Sequence, residues 1–570
     1  MNSLVVAGIA VFLLLLGYVF YSRKVKQWIG LDDSQITPAV ELNDGVDYVP
    51  AKHWTILFGH HFASIAGAAP IIGPVIACLY WGWLPALIWI VVGGILFGAV
   101  HDFVALVLSL RHKGKSITTV TESVMGKTSK ILFGTFALLA LILVVAVFAA
   151  VAGKTLASTP EVVIPTFGLV VVALVVGFLM YRVQLNVLLC SVIGVALLFG
   201  LIVAGFYLPI RMPVENAETA VKLWTVILLI YGMIASVTPV TMLLQPRDHL
   251  AGAVLYLGLL AGLLGLVVTR PQMKAPAVVS FLTVKGWMWP MLFVTVACGA
   301  LSGFHSLVSS GTTSKQVKRM SDARVIGYGG MILESVLAVL AVIAVTAGLY
   351  WKSVPEGIEG HVFQDVSANG NWIKAFGTGY GQLTGVFFDK MGAFLGITGL
   401  GALVGITMLK TFIMTTLDSA TRITRYLCNE LLGETLGITP MKNKYVAVAL
   451  VGICSGALAL GNWRAIWPVF GAANQLVASL VLIVASVYLL MRKRNCAFTA
   501  VPAGIMLVTT IAALLYQAYG FATAEGEQRN ILLAIVSVVL IFLAIFLAYT
   551  ALVAVAKVRK NGAGQEAANA

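Results

Sequence analysis

The sequence predicts an all-α polytopic membrane protein of about fifteen transmembrane helices, built as a 5+5 inverted repeat with extra N- and C-terminal helices. Three observations carry that expectation. Of 570 residues, 60% are hydrophobic and 11% charged, and the mean hydropathy is +0.97. A soluble core of this size needs a polar surface that these residues cannot supply. Apolar runs of about 18–26 residues recur along the chain, each long enough to cross hydrocarbon at about 1.5 Å per residue. The basic residues behind the net charge of +14 sit in short loops, so the excess reports topology rather than nucleic-acid binding. Cys78, Cys190, Cys298, Cys428, Cys454 and Cys496 stand singly, mostly within apolar runs. Without metal-ligand spacing they read as small buried hydrophobes.

The first run, Leu4 to Tyr21, is followed by Arg23-Lys24-Val25-Lys26. A secretory signal carries its positive charges first and a small-residue cleavage site afterwards. Here the order is reversed, which predicts an uncleaved first helix with its N-terminus outside. Residues 22–53 form a polar connector, acidic at Asp32, Asp33, Glu41, Asp44 and Asp47. Further spans are expected at 54–80, 84–109, 131–152, 161–181, 187–208, 223–243, 250–268, 288–308, 325–350, 391–416, 445–461, 467–490, 499–519 and 531–556. Alternation then places Arg111/Lys113/Lys115, Lys315/Lys318/Arg319/Arg324, Arg422/Arg425, Arg492-Lys493-Arg494 and the tail Lys557/Arg559/Lys560 on the cytoplasmic side. That asymmetry supports the orientation and the odd number of spans. The segments are therefore 1–53 (helix and cytoplasmic connector), 54–216 (first five-helix repeat), 217–443 (second repeat), 444–556 (four helices) and 557–570 (cytoplasmic tail).

Within the second span, Gly59-His60-His61-Phe62-Ala63-Ser64-Ile65-Ala66-Gly67-Ala68-Ala69-Pro70-Ile71-Ile72-Gly73-Pro74 puts histidines, small residues and two prolines where an ordinary span carries leucine. Proline removes a backbone donor and clashes with a carbonyl one turn earlier. In lipid the freed groups need partners in protein, water or a ligand. The seventh span carries Ala235-Ser236-Val237-Thr238-Pro239, then Gln245-Pro246. Both follow an aromatic-glycine pair, Phe58-Gly59 and Tyr231-Gly232. Interrupted segments at matching places in oppositely oriented halves point to a central binding site.

Several blocks also resemble the carbon starvation protein A (CstA) family. They are Gly59 to Gly67, Gly98-Ala99-Val100-His101-Asp102-Phe103, Gln245-Pro246-Arg247-Asp248, Ser302-Gly303-Phe304-His305, Ser309-Ser310-Gly311-Thr312-Thr313, Leu333-Glu334-Ser335, Leu417-Asp418-Ser419-Ala420-Thr421-Arg422 and Trp467 to Leu476. The resemblance runs from about residue 50 to 480. It implies a bacterial inner-membrane secondary transporter of LeuT-like five-plus-five architecture, associated with peptide uptake during starvation or with proton-coupled pyruvate uptake. The chain looks shorter than the longer family members, so substrate is not carried over.

The residues themselves suggest the chemistry. An unwound midplane helix exposes N–H groups at a positive half-helix end, which suits a carboxylate. His61, Ser64, Ala66, Gly67 and Ala68, with Ser236 and Thr238 opposite, are the candidate substrate contacts; close helix packing is the alternative use of such small residues. Ionisable residues inside spans default to functional candidates. His60, His61, His101-Asp102 and His305 fall at similar depth, near the cytoplasmic ends of their spans, and an imidazole exchanges protons near pH ~6.5. Glu334 lies about nine residues into its span, roughly 14 Å by helical rise, near the midplane. It is the strongest candidate for a coupling carboxylate. Lys410 is its possible partner or a fixed charge at an ion site. Asp418 and Arg422, four apart, read as a structural ion pair. The hydroxyls of Ser309, Ser310, Thr312 and Thr313 could hold sodium or cap and cross-link helices. Asn474 and Gln475 could serve either use.

A metal site is disfavoured, because adjacent His60 and His61 point about 100° apart on a helix. No Walker motif, Gly-x-Ser-x-Gly elbow or Cys/His metal cluster appears in the sequence, so neither an enzyme nor a cofactor is expected. The favoured reading is a proton-coupled importer of peptides or pyruvate, with the lipid bilayer as a further partner and no nucleic acid. A sodium-coupled symporter is the alternative. A membrane redox protein using intramembrane histidines would show visible absorbance; an ion channel would conduct without substrate stoichiometry.

Overall fold

The computed structural model describes residues 1–45, 48–238, 244–356, 358–461, 463–525 and 529–568. Among these residues the chain is helical almost throughout, with one short hairpin pairing Leu282–Thr283 with Gly286–Trp287. Twelve helices are long and apolar enough to cross a membrane, from Ser3–Ile29 to Ile531–Val558, and the pair Trp54–Ile65 and Ala69–Tyr80, bent by 45°, makes a further candidate. Two other expected spans take a different form. Residues 288–308 become two half-helices, Met288–Thr295 and Phe304–Gly311. Lys444–Ala459 is a helix of 16 residues.

Trp372–Phe394, a 23-residue helix, was not expected from the apolar runs. Its five glycines, Lys374, Asp389 and Lys390 dilute the apolar signal. It packs on Ala69–Tyr80, Leu244–Thr269, Gly329–Ala347 and Leu400–Cys428, and the Tyr380 hydroxyl donates to the Gly258 carbonyl at 2.8 Å. The span expected at 391–416 instead begins at Leu400 and stays α-helical to Cys428.

The first broken span follows the expected logic, with one correction. The helix ends at Ile65, Ala66 leaves helical geometry at φ −77°, ψ 68°, and Pro70 sits in the opening turn of the second half. There its missing N–H has no bond to lose, so Pro70 starts a helix rather than breaking one. Only Pro74 lies inside a helix. Gly67 is required by crowding: a Cβ there would stand 2.8 Å from the Phe148 ring and 2.9 Å from Thr416 Oγ1.

The second broken span has no proline at its interruption. Val296 departs from the helix at φ −89°, ψ 60°, and the chain resumes at Phe304. The signature amides hold both sides of this gap. Gln475 Nε2 donates to the Phe293 carbonyl at 2.8 Å. Asn474 Oδ1 accepts from Phe304 N at 2.8 Å, and the Asn474 carbonyl accepts from Gly303 N at 3.0 Å. One side chain thus caps the new helix while its neighbour holds a carbonyl of the old one.

The two broken spans run antiparallel against each other. His61, in the first half of one, bonds Thr313 just beyond the second half of the other. At the opposite end, a Cβ on Gly73 would fall 2.4 Å from the Thr295 carbonyl oxygen. Gly73→Ala therefore forces these backbones apart. The expected cost is about 1–3 kcal/mol for overpacking a tight contact, read as a lower melting temperature in detergent together with reduced uptake.

Against residues 59–74 the fold sets the interruption of 296–303, alongside the helix that begins at the end of the expected partner stretch 231–246. Ala217–Val237 ends at Thr238 and packs on Lys127–Ser158, Leu400–Cys428 and Lys444–Ala459. Residues 239–243, where part of that interruption was expected, lie outside the described residues. Leu244–Thr269, the next helix, is the one that packs on Trp54–Ile65.

Candidate functional site

Beside the two interruptions the fold gathers four of the ionisable residues singled out in the sequence. His101 and Asp102 follow a π-helical turn, Gly94–Gly98, in the span after the first broken one. His305 opens the second half of the other broken span, and Glu334 lies in Gly329–Ala347. A Cβ on Gly98 would lie 2.3 Å from the Ala300 carbonyl, which explains how the His101 helix comes so close to the unwound strand. His101 Nδ1 lies 2.7 Å from Asp102 Oδ1, and His305 Nδ1 lies 2.8 Å from Asp102 Oδ2. His305 Nε2 stands 3.3 Å from Glu334 Oε2, without hydrogen-bond alignment. All four side chains are fully buried. Both Glu334 oxygens and His101 Nε2 have no hydrogen-bond partner. Burying polar atoms unpaired is costly, which makes this line of carboxylates and imidazoles the candidate site.

A second buried network joins four helices. His60 Nδ1 lies 2.9 Å from Asp248 Oδ2, and Arg247 Nη2 donates to Asp248 Oδ1 at 2.9 Å. Arg247 also pairs with Asp418, while the Tyr231 hydroxyl donates to Asp418 Oδ2 at 2.9 Å. The expected Asp418–Arg422 pair is therefore not the bond formed. Arg422 instead donates to the carbonyls of Ala235 at 2.7 Å and Thr238 at 2.6 Å, closing the C-terminal end of their helix. Sequence reading left Arg247 and Tyr231 without a role. The signal was present, since a buried aspartate needs a cation and Arg247 sits next to Asp248.

Lys410 is fully buried and donates to the Ala152 carbonyl at 2.5 Å rather than pairing with Glu334. Of the candidate substrate contacts, His61, Ser64, Ala66, Gly67 and Ala68 come together at the first interruption. His61 Nδ1 is 2.9 Å from Thr313 Oγ1, leaving His61 Nε2 and Ser64 Oγ buried without partners. Thr415 reaches the same turn and donates to the Ala63 carbonyl at 3.2 Å. Ser236 and Thr238 stand on another helix end: Ser236 Oγ is buried and unpartnered, whereas Thr238 Oγ1 bonds its own helix at Ile234. Among the sodium candidates, Ser310 donates to the Ser306 carbonyl and Thr312 to that of Val308. Thr313 bonds His61, and Ser309 Oγ has no partner.

Two interrupted helices, antiparallel and flanked by buried titratable side chains, in a chain of many apolar spans, have the build of a multi-pass membrane transporter. The family described as carbon starvation protein CstA matches residues 2–381 and 364–513. The chain belongs to that family. It is 34% identical over 588 residues to the pyruvate/proton symporter BtsT of Escherichia coli K12, covering 90% of this chain and 81% of the relative. It is 32% identical over 572 residues to the peptide transporter CstA of the same organism, covering 90% and 80%. The peptide transporter CstA of Bacillus subtilis 168 is 28% identical over 579 residues, with 95% of both chains covered. In fold it is similar to the Eremococcus coleocola manganese transporter, at a TM-score of 0.51 and 11% identity over 91% of this chain and 99% of that one.

Proposed function

We propose that this chain is a secondary active transporter that imports small carboxylate-bearing nutrients, peptides or pyruvate, across the bacterial inner membrane in symport with protons. The observation that carries the reading is the buried line His101–Asp102–His305–Glu334, which touches the second interruption and ends on an unpartnered carboxylate. A titratable chain at a broken helix gives a proton somewhere to reside while the spans rearrange. His60, tied through Asp248 to Arg247, couples the first half-helix to the neighbouring charge network, and Lys410 acts as a fixed charge. Substrate is gripped at His61, Ser64 and the main chain of Ala66–Ala68. Ser236 and Thr238 are kept as secondary contacts.

In this reading the architecture is a LeuT-like inverted repeat whose broken members are 54–80 and 288–311, the latter taking the place first given to 223–243. The N-terminus lies outside and the C-terminus in the cytoplasm. A cavity of about 490 Å³ at the Tyr80 end of the first broken span, lined by Tyr80, Lys285, Gln364 and Trp372, then opens to the outside. Burial holds the Lys285 ammonium below the ordinary lysine range, and its charge favours anionic substrates at the mouth.

The test is uptake by proteoliposomes, with labelled pyruvate and a dipeptide offered in parallel under a pH gradient or a sodium gradient. Accumulation of either substrate driven by the pH gradient is the expected result. Accumulation driven by sodium alone would transfer the coupling role to Ser309 and its neighbours. Conductance without accumulation would sink the transporter mechanism.

A further inference from the structure

We propose that Cys298, His305 and Glu334 form a binding site for a thiophilic divalent transition-metal ion of the zinc class. Cys298 lies in the unwound strand, His305 on the half-helix after it, and Glu334 on the helix alongside. Spacing along the chain hides the set, yet their sulfur, nitrogen and oxygen atoms lie within 4.8 Å of one another, all buried. Ligands on a tetrahedral ion with bonds of about 2.0–2.3 Å stand roughly 3.3–3.8 Å apart, so small side-chain rotations close the site. Its atoms are also free to bind: both Glu334 oxygens and His305 Nε2 have no hydrogen-bond partner.

The surroundings are those of a metal site. Asp102 Oδ2 holds His305 Nδ1 at 2.8 Å, and a carboxylate in that position fixes the tautomer and aims Nε2 at the ion. Asn474 Nδ2 donates to Cys298 Sγ at 3.5 Å, and the thiol in turn donates to Ser302 Oγ at 3.5 Å, a bond that metal binding replaces. One soft sulfur with nitrogen and oxygen selects zinc-like ions over magnesium or calcium. Three protein ligands leave a fourth position for water. Binding releases the Cys298 thiol proton, and any proton on Glu334, to solvent.

The site exists whether or not Glu334 carries the coupling proton. If it does, the ion holds that carboxylate and arrests uptake. Metal-free full-length protein in detergent is titrated with cobalt(II) and then with zinc. The expected result is one cobalt per chain, with a near-ultraviolet thiolate-to-cobalt band that zinc abolishes. The band is lost in Cys298→Ser and kept in Cys496→Ser. Should Cys298→Ser fail to fold, X-ray absorption of the zinc-loaded native chain decides, with one sulfur at about 2.3 Å expected. A band that survives Cys298→Ser, no band at all, or a zinc shell without sulfur overturns the assignment. Inhibition by zinc is read separately, in proteoliposomes, so failure of the coupling scheme leaves the binding result interpretable.

Discussion

Glu334→Gln is expected to abolish accumulation of substrate against its gradient while leaving substrate binding in place. The amide keeps the shape of the side chain but cannot take up or release a proton. Neither Glu334 oxygen has a hydrogen-bond partner, so the substitution removes only the 3.3 Å contact of Oε2 with His305 Nε2, and the chain should melt near the native temperature. In proteoliposomes the inside-to-outside ratio should settle at unity, with exchange of labelled for unlabelled substrate continuing. Binding is checked in detergent by equilibrium dialysis, where affinity should change little. A variant that still concentrates substrate under a pH gradient would remove Glu334 from the coupling path and leave Asp102 as the carboxylate to test.

The second large effect concerns stability. Arg247, Asp248 and Asp418 are all fully buried, and Arg247 is held by both carboxylates and by the Tyr231 hydroxyl at 2.9 Å. Asp418→Asn leaves the guanidinium with less compensating charge in a place water cannot reach. Removing one partner of a buried pair costs about 3–5 kcal/mol. The expected outcome is a marked loss of folded protein on detergent extraction and a lower melting temperature. Because the network touches helices 217–237, 244–269 and 400–428 as well as His60, failure here should also loosen the first half-helix. The double variant Arg247→Gln/Asp418→Asn should be less damaged than the sum of its two singles, since the Arg247–Asp418 attraction is then lost once rather than twice, while Asp248 keeps His60 as its partner. Additive losses, or an unchanged melting curve in Asp418→Asn, would show that water or local rearrangement already compensates the cluster.

Composition and run length made the fold class legible, because lipid imposes one rule on every span. The first interruption was legible too: Ala66-Gly67-Ala68 ahead of Pro70 writes it into local sequence. The second was not. Residues 288–308 read as an ordinary span because no proline marks Val296, and the groups that satisfy the gap, Asn474 and Gln475, arrive from about 170 residues away. The likeness of residues 231–246 to the first interruption pointed to a stretch of which residues 239–243 lie outside the described structure. Depth along the spans grouped His60, His61, His101-Asp102 and His305 and set Glu334 apart near the midplane; the fold places Glu334 against His305 and ties His60 to Asp248 instead. The pairings Lys410–Glu334 and Asp418–Arg422 do not form because Lys410 and Arg422 both bond to backbone carbonyls, and a side chain's main-chain partner leaves no trace in residue type. Cys298 was dismissed on sequence spacing, which says nothing about donors on separate elements.

The dependence of the 296–303 gap on Asn474 and Gln475 has a consequence for how the protein is made. A ribosome delivers Phe293 and Phe304 to the bilayer long before it has translated the helix that will bond them. Until that helix arrives, the nascent membrane domain carries an open gap whose amide and carbonyl lack their final partners. The gap is therefore closed only once residues 474 and 475 have been made, and chains cut short before residue 474 should be prey for quality-control proteases.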